Sequence, residues 1–179
     1  MLPATTPHSG SPARRPRWAP AALPPLSLAA RAFLREAFGS AAPSRPTQDR
    51  LLEHMRCHGL DKGPVAGVPA GEAPSWWLVL EGRIAVGRPG ANGDTVENRM
   101  LQPGQWFDLA SAWLGAEWLE SAVCLAPVTL AALPLSTLLA CARTDEQLML
   151  GMGQAMAERV RQLTEGRHEL ATKDVLSRL

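Results

Sequence analysis

A run of short β-type segments between Gly63 and Leu133 constrains the fold most. Gly and Pro separate these segments at intervals of roughly ten residues, which is typical of an all-β sandwich or barrel. The clearest segment, WWLVLEGRIAV at 76–86, has an apolar run on each side of a Glu-Gly turn. The motif PGANG at 89–93 predicts a hairpin, because Gly and Asn accept the positive backbone angles of tight turns. We therefore predict a small β domain over residues 60–133.

Helices are expected on the N-terminal side of this β domain, over residues 26–59. The stretch 27–38 has its apolar residues roughly on one side, and Gly39 ends it. A second helix is predicted over about 47–57. Residues 1–25 are rich in Pro, Ala, Ser and Arg, so they cannot bury enough apolar surface to fold, and we expect them to be disordered.

A long helix is expected on the C-terminal side. Residues 134–173 predict a short helix that begins at Pro134 and a long helix that begins with a capping box, Thr at the N-cap and Gln three residues later, at 144–147. Apolar residues recur along the long helix at steps of three and four, which makes a narrow seam typical of pairing with a second copy. We expect a homodimer with these residues at its interface: Met149, Met152, Met156, Val160, Leu163 and Leu170.

Composition limits the classes of function. With 179 residues and 46% hydrophobic composition, the chain has enough apolar residues for one buried domain plus appendages. Residues 1–50 hold 7 Lys+Arg against 2 Asp+Glu, whereas the remainder holds 11 against 15. This acidic remainder argues against nucleic-acid binding by its own surface. The three cysteines have no paired or metal-type spacing, so we expect no disulfides and a cytoplasmic location. No apolar run reaches the roughly 18 residues of a membrane span, so no membrane is expected as a partner.

Five segments stand in an informative order. They are Lys62-Gly63, WWLVLEGRIAV, the Pro-Gly turn and loop LQPGQWFDLASAWL, the strand region SAVCLAPVTLAALP, and the terminal DVLSRL. In this order the region 51–179 resembles the CRP/FNR superfamily of bacterial transcription regulators. The resemblance implies a mainly β fold with flanking α, namely a cyclic nucleotide-binding-like, cupin-like β-roll followed by a long dimerisation helix. It implies a sensor module that is not an enzyme.

The resemblance also bears on DNA. In that family, a helix-turn-helix follows the segment that DVLSRL resembles, so we expect residues 174–179 to be the start of a DNA-binding domain. DNA would then be bound only through a domain absent from this chain. A sensor fragment of a longer regulator is favoured over a natural truncation.

A ligand loop is the next feature that the resemblance implies. Family members that bind cyclic nucleotides have Phe-Gly-Glu and, downstream, Arg-Ser/Thr-Ala, where the Glu accepts from the ribose hydroxyl and the Arg holds the phosphate. This chain has Phe-Asp-Leu and Glu-Ser-Ala instead, and Glu120 would repel a phosphate. We expect an unknown small-molecule effector other than cyclic AMP or cyclic GMP, with these candidate binding residues: Trp106, Phe107, Asp108, Leu109, Glu120, Ser121 and Ala122.

No metal or other cofactor is expected. His54 and His58 stand one helical turn apart beside Cys57, but a solvated or capping role is favoured because no third ligand is near. Cys57 is a redox-switch candidate, although a small buried hydrophobe is the commoner role. Five of the six Trp lie between Trp76 and Trp118 and form either an aromatic pocket or, as we favour, part of the core.

Three functions remain open. The favoured one is effector sensing and dimerisation within a regulator. A cupin metalloenzyme needs two or three His with a Glu on barrel strands, whereas the four His, at 8, 54, 58 and 168, lie outside the predicted strands. The remaining alternative is a stand-alone β-roll module that binds a ligand or a protein without binding DNA.

Overall fold

The computed structural model describes the backbone of residues 18–20, 28–65, 67–69, 71–89, 95–115, 118 and 121–176. Side chains at 28–30, 88–89, 95–98, 163 and 165–176 are outside this description. The described strands β1 to β9 are Ala19–Pro20, Arg56–Leu60, Gly63–Val65, Ser75–Glu81, Ile84–Pro89, Thr95–Leu101, Trp106–Phe107, Ser121–Cys124 and Val128–Pro134. The described helices α1 to α5 are Leu28–Phe38, Arg45–His54, Leu109–Leu114, Leu135–Ala142 and Glu146–Leu176, with a 3-10 turn at Gly39–Ala41.

The strands form two antiparallel sheets, which together make the roll. One sheet has the order β1-β2-β9-β4-β7 and the other β3-β8-β5-β6. Side chains alternate between the faces of a strand. On β4, Trp77 and Val79 therefore pack between the sheets, in what we call the inner core. The predicted fold class, a β-roll with flanking helices and a long final helix, is confirmed.

A second apolar cluster, the outer core, lies between the first sheet and the helices. Trp76 and Leu78 of β4 face it, and the helices contribute these buried residues: Leu34, Phe38, Leu51, Leu52, Leu109, Ala112, Leu135, Leu138, Cys141, Ala142, Leu148 and Met152. Through the outer core, α1, α2, α4 and the start of α5 pack against the first sheet. These helices and the sheet therefore share one apolar interface.

The second helix ends earlier than predicted. It stops at His54, and residues 56–60 form β2 rather than the end of a helix, so this strand belongs to the roll. Five residue pairs join β2 to β9, from Arg56 opposite Ala132 to Leu60 opposite Val128. Backbone pairing across the sheet overrides the local helical pattern there.

The expected disorder of residues 1–25 is wrong at the three residues that the structure describes. Ala19 and Pro20 pair with Gly59 and His58 at the edge of the first sheet. The Trp18 ring packs against the inner core. The remainder of this predicted segment lies outside the described residues.

The long helix begins with a different cap from the one predicted. Thr144 donates to the Cys141 carbonyl (3.2 Å), whereas the Leu148 N–H donates to Oδ1 of Asp145 at 3.2 Å. The other oxygen of Asp145 accepts from the backbone N–H and the hydroxyl of Ser44, at 2.9 and 2.7 Å. Asp145 therefore caps α5 and also ties it to the start of α2.

The predicted seam of α5 does not lie on one exposed face. Met152 is 3% exposed and belongs to the outer core of its own chain, so its assignment to a dimer interface is wrong. Met156 is partly buried against the same core, whereas Met149 and Val160 are 50% and 61% exposed. Met149 and Met152 are about 60° apart around the helix axis, so Met152 packs on the outer core while Met149 lies at the edge of that contact and stays half exposed. The side chains of Leu163 and Leu170 lie outside the described residues.

Candidate functional site

A cavity of about 270 Å³ lies beside the start of β4 and against α3. It is lined by Val68, Glu72, Ala73, Pro74, Ser75, Trp77, Ser111, Ala112, Gly115 and Trp118. Both Ser75 and Trp77 lie on the inner side of β4, so the cavity opens into one end of the roll. We call it the mouth cavity.

Aromatic rings pack behind the mouth cavity. The ring centroids of Trp18, Trp77 and Trp118 lie 5.5 to 5.7 Å from one another. The Phe107 ring lies 4.5 Å from that of Trp118, nearly perpendicular to it. Edge-to-face pairs of this kind stabilise a core beyond the apolar area that they bury. Trp77 is 1% exposed and thus mainly a core residue, as favoured from the sequence, yet it and Trp118 also line the cavity.

The structure separates the predicted effector residues. Trp106 and Phe107 are neighbours on β7 and therefore face opposite sides of the sheet. Trp106 donates its indole N–H to the Ala37 carbonyl at 2.8 Å, on the side of the helices, and Leu109 is buried in the outer core. Phe107 is fully buried in the inner core.

Asp108 has a structural role in this loop. Its backbone has φ +44°, the one positive φ among the described non-glycine residues. Its carboxylate accepts from the backbone N–H of Ser111 at 3.2 Å and from the Ser111 hydroxyl at 2.7 Å, so it caps α3. The cap fixes α3 over the start of β4, where α3 forms one wall of the mouth cavity.

The remaining candidates lie on or next to β8. Ser121 donates its hydroxyl to the Gly87 carbonyl at 3.3 Å, and Ala122 is buried in the inner core. Glu120 lies outside the described residues. None of the predicted effector residues that the structure describes lines the mouth cavity, although Trp106 and Leu109 line a separate groove of about 400 Å³ between α1 and α5.

The sequence did not reveal that Glu72 lines the mouth cavity or that His58 lies beside it. The Glu72 side chain is 4% exposed, and its Oε2 lies 3.1 Å from Nε2 of His58. Its Oε1 lies 3.6 Å from the Arg56 guanidinium. Glu72 stands alone in a loop rich in Gly, Ala and Pro, so no local pattern marks it. The alternation along β2 would have placed His58 inside the roll had residues 56–60 been predicted as a strand.

The metal and redox hypotheses change accordingly. His54 and His58 do not share a helix face: His54 bonds to the Arg50 carbonyl on α2 through Nδ1 (2.9 Å), whereas His58 is on β2. The expectation that every His lies outside the strands is therefore wrong for His58. Within the described part of the chain, no group of three or more His, Cys, Asp and Glu is close enough to hold a metal.

The cysteines are free and buried. Burial raises the pKa of the Cys57 and Cys124 thiols to about 11, and burial likewise raises the pKa of Cys141. A raised pKa keeps the thiol protonated, which slows oxidation because the thiolate is the reactive form. This favours the core role of Cys57 over a redox switch. No described helix has the length and apolarity needed to cross a membrane.

Comparison with known proteins agrees with this architecture. Residues 68–145 match the model of the cyclic nucleotide-binding domain family. No curated protein matches the sequence. Among solved structures, the catabolite activator protein of Thermus thermophilus superposes with a TM-score of 0.60 at 22% identity, over 76% of this chain and 63% of that chain. A putative cyclic nucleotide binding protein of Ruegeria pomeroyi is covered over 62% of its length, so the chain spans less than two thirds of these relatives.

Shorter relatives are covered more fully. The sensor domain of the transcriptional regulator DNR from Pseudomonas aeruginosa superposes with a TM-score of 0.56 at 19% identity, over 75% of this chain and 91% of that domain. A cyclic nucleotide-binding domain from Methylobacillus flagellatus gives 0.54 at 17% identity, over 83% and 84%. The match over residues 68–145 and the shared architecture confirm the resemblance: this chain has the fold of the cyclic nucleotide-binding domains and of the CRP/FNR-type regulators.

Proposed function

We propose that this chain is the effector-sensing and dimerisation module of a transcription regulator, with its effector bound at the mouth cavity. One observation carries the assignment as a sensor module: the chain spans 91% of the DNR sensor domain but 59% of the longer DNR chain. The module acts by binding rather than by catalysis, and DNA contact belongs to another domain of the regulator.

The effector is not a cyclic nucleotide. Residues 100–142 supply α3, Trp118, β8 and β9, and they contain no Lys, Arg or His. The same stretch contains Asp108, Glu117 and Glu120, and the mouth cavity adds the Glu72 carboxylate. A phosphate taken out of water needs a charged donor, and in the mouth cavity it would meet the Glu72 carboxylate instead. We expect titration with cyclic AMP or cyclic GMP to leave the tryptophan fluorescence without a saturable change. Micromolar saturation would overturn this part of the proposal.

A second copy of the chain is the partner that covers the exposed face of α5. Met149 and Val160 lie on this face with large exposed fractions, and Gly153 lies between them. A Cβ added at Gly153 would meet nothing within 4 Å in the chain itself, so a second helix has room to approach closely there. This exposed face is the proposed dimer interface in place of the predicted seam, because Met152 is buried in the outer core of its own chain.

The mouth cavity and α5 share a physical connection. Ala112 of α3 lines the cavity and is also buried in the outer core, where Leu148 and Met152 of α5 lie. A ligand that binds better to one position of α3 than to another therefore shifts the packing of α5. In a dimer, this change would alter how the two long helices cross.

Light scattering tests the dimer. We expect a dimer mass for the wild type and a monomer mass for Val160→Glu, because the substitution places a charge in the proposed apolar interface. Gln147→Glu is the matched control, since it introduces the same charge at an exposed position on the opposite side of α5. A monomer for all three proteins, each folded by circular dichroism, would refute the dimerisation part of the function.

A further inference from the structure

We infer that the mouth cavity takes a small organic cation, with an ammonium group held by Glu72 and an apolar body held against Trp77 and Trp118. The inference rests on the proposed function, in which the mouth cavity is the effector site. It deepens that function by giving the chemical class of the effector.

The Glu72 carboxylate supplies the charge. Its side chain is 4% exposed, and its Oε1 is a buried atom that accepts no hydrogen bond from the described residues. Nε2 of His58 lies beside Oε2. The Arg56 guanidinium lies 3.6 Å from Oε1, too far for a hydrogen bond, and the Arg56 side chain is 64% exposed. A buried acceptor without a donor is costly, so an N–H donor at Oε1 is stabilising. A charged donor gives the strongest such bond.

Two indole rings supply the walls for the body of the ligand. The rings of Trp77 and Trp118 lie 5.5 Å apart at an angle of 84°, and both line the cavity beside Glu72. Tryptophan is the aromatic side chain that attracts cations most strongly, because its ring face is electron-rich. Val68, Pro74 and Ala112 complete an apolar lining.

The other polar groups of the cavity also favour a donor. Ser75 donates its hydroxyl hydrogen to the Ala73 carbonyl at 2.8 Å, so its oxygen offers lone pairs to a ligand. No Lys, Arg or His is among the residues that line the described cavity. An anionic ligand would therefore face Glu72 with no cation on the wall, whereas an ammonium finds acceptors. The volume of about 270 Å³ lies at the small end of ligand pockets, which favours a small amine over a nucleotide.

Three probes of the same shape test the charge preference. Benzylamine, benzyl alcohol and benzoate share one ring and differ in the charge of the head group. Each is titrated into the wild-type chain, and binding is read from tryptophan fluorescence and from the shift in Tm. We expect benzylamine to bind at least about tenfold more tightly than benzyl alcohol, the ratio given by one charge-assisted hydrogen bond over a neutral one. Benzoate should produce no saturable signal.

Two variants locate the effect. Glu72→Gln keeps the size of the side chain and removes its charge, so benzylamine should bind no better than benzyl alcohol. Glu81→Gln makes the same change at the exposed end of β4 and should keep the preference of the wild type. Circular dichroism of both variants confirms that each has folded.

The outcomes separate this inference from the proposed function. Equal binding of benzylamine and benzyl alcohol, unchanged by Glu72→Gln, would leave the mouth as an effector site and overturn the cationic class. Preferential binding of benzoate would also overturn it. If none of the three probes binds, the cationic site is refuted, and the light-scattering experiment still decides independently whether the chain is a dimerisation module.

Discussion

Asp145 holds the start of α5 against the start of α2, and its replacement by Asn tests how much this junction contributes. The wild-type carboxylate accepts hydrogen bonds from Ser44 on one oxygen and from the Leu148 N–H on the other. Asn keeps the size of the side chain but turns one acceptor into an N–H₂ donor. In either orientation of the amide, that donor would face a backbone N–H, of Ser44 or of Leu148, which needs an acceptor.

The size of the contribution that Asp145 makes to stability follows from its pKa. Burial alone would raise the pKa of Asp145, but the hydrogen bonds from Thr47, Ser44 and Leu148 outweigh it and lower the pKa from 3.8 to about 2. Each pKa unit corresponds to about 1.36 kcal/mol, so the carboxylate contributes about 2 kcal/mol to stability at neutral pH. Asp145 is 8% exposed, so solvent screens this contribution little.

The direction of the Asp145 pKa shift determines how its contribution to stability changes with pH. The pKa of Asp145 is lower in the folded state than in the unfolded chain, so its contribution is present above about pH 4. It is lost as the pH falls towards the folded pKa of about 2. The difference in stability between wild type and Asp145→Asn should therefore be about 2 kcal/mol at pH 7 and should shrink steadily between pH 4 and pH 2.

Urea unfolding, followed by tryptophan fluorescence at a fixed protein concentration, measures this difference at pH 7, 5, 4 and 3. Glu158→Gln is the matched control. Hydrogen bonds from Arg161 and Gln162 lower the pKa of Glu158 to about 2 as well, but its side chain is 47% exposed. Screened surface pairs contribute roughly 0.5 kcal/mol, so the control should change little. A loss below 0.5 kcal/mol for Asp145→Asn at pH 7, or one that persists undiminished at pH 3, would refute the reasoning.

Two other predictions concern the core. Gly82 has φ +83°, and a Cβ there would lie 2.5 Å from the Pro127 carbonyl, so Gly82→Ala should lower the free energy of unfolding by more than about 2 kcal/mol. Gly71→Ala, at φ +79° with open space around it, should cost only about 1 kcal/mol, and equal losses in urea unfolding would contradict the steric argument. The three buried cysteines should react with a thiol reagent at pH 8 only after unfolding, because burial keeps them protonated and inaccessible. Prompt labelling of the native protein, read by absorbance, would show that one of them is reachable.

The candidate site was predicted only in part. The sequence led to the loop after β7, and α3 of that loop does line the mouth cavity through Ser111 and Ala112. It did not lead to Glu72, because a single carboxylate in a loop of small residues carries no periodic signal. Nor did it separate Trp106 from Phe107, since the position of a two-residue strand in the sheet decides which side each one faces.

Local patterns in the sequence were enough to predict the β domain, the turns that Gly and Pro require, and the short and long helices after Pro134. These signals are local, because turn geometry and helix periodicity act over a few neighbouring residues. Three features required the folded chain: residues 56–60 pair with β9, Met152 is core while Val160 is exposed, and the Glu72 carboxylate is buried at the mouth. Each of these depends on contacts between residues far apart in the chain, where burial and pairing outweigh local preference.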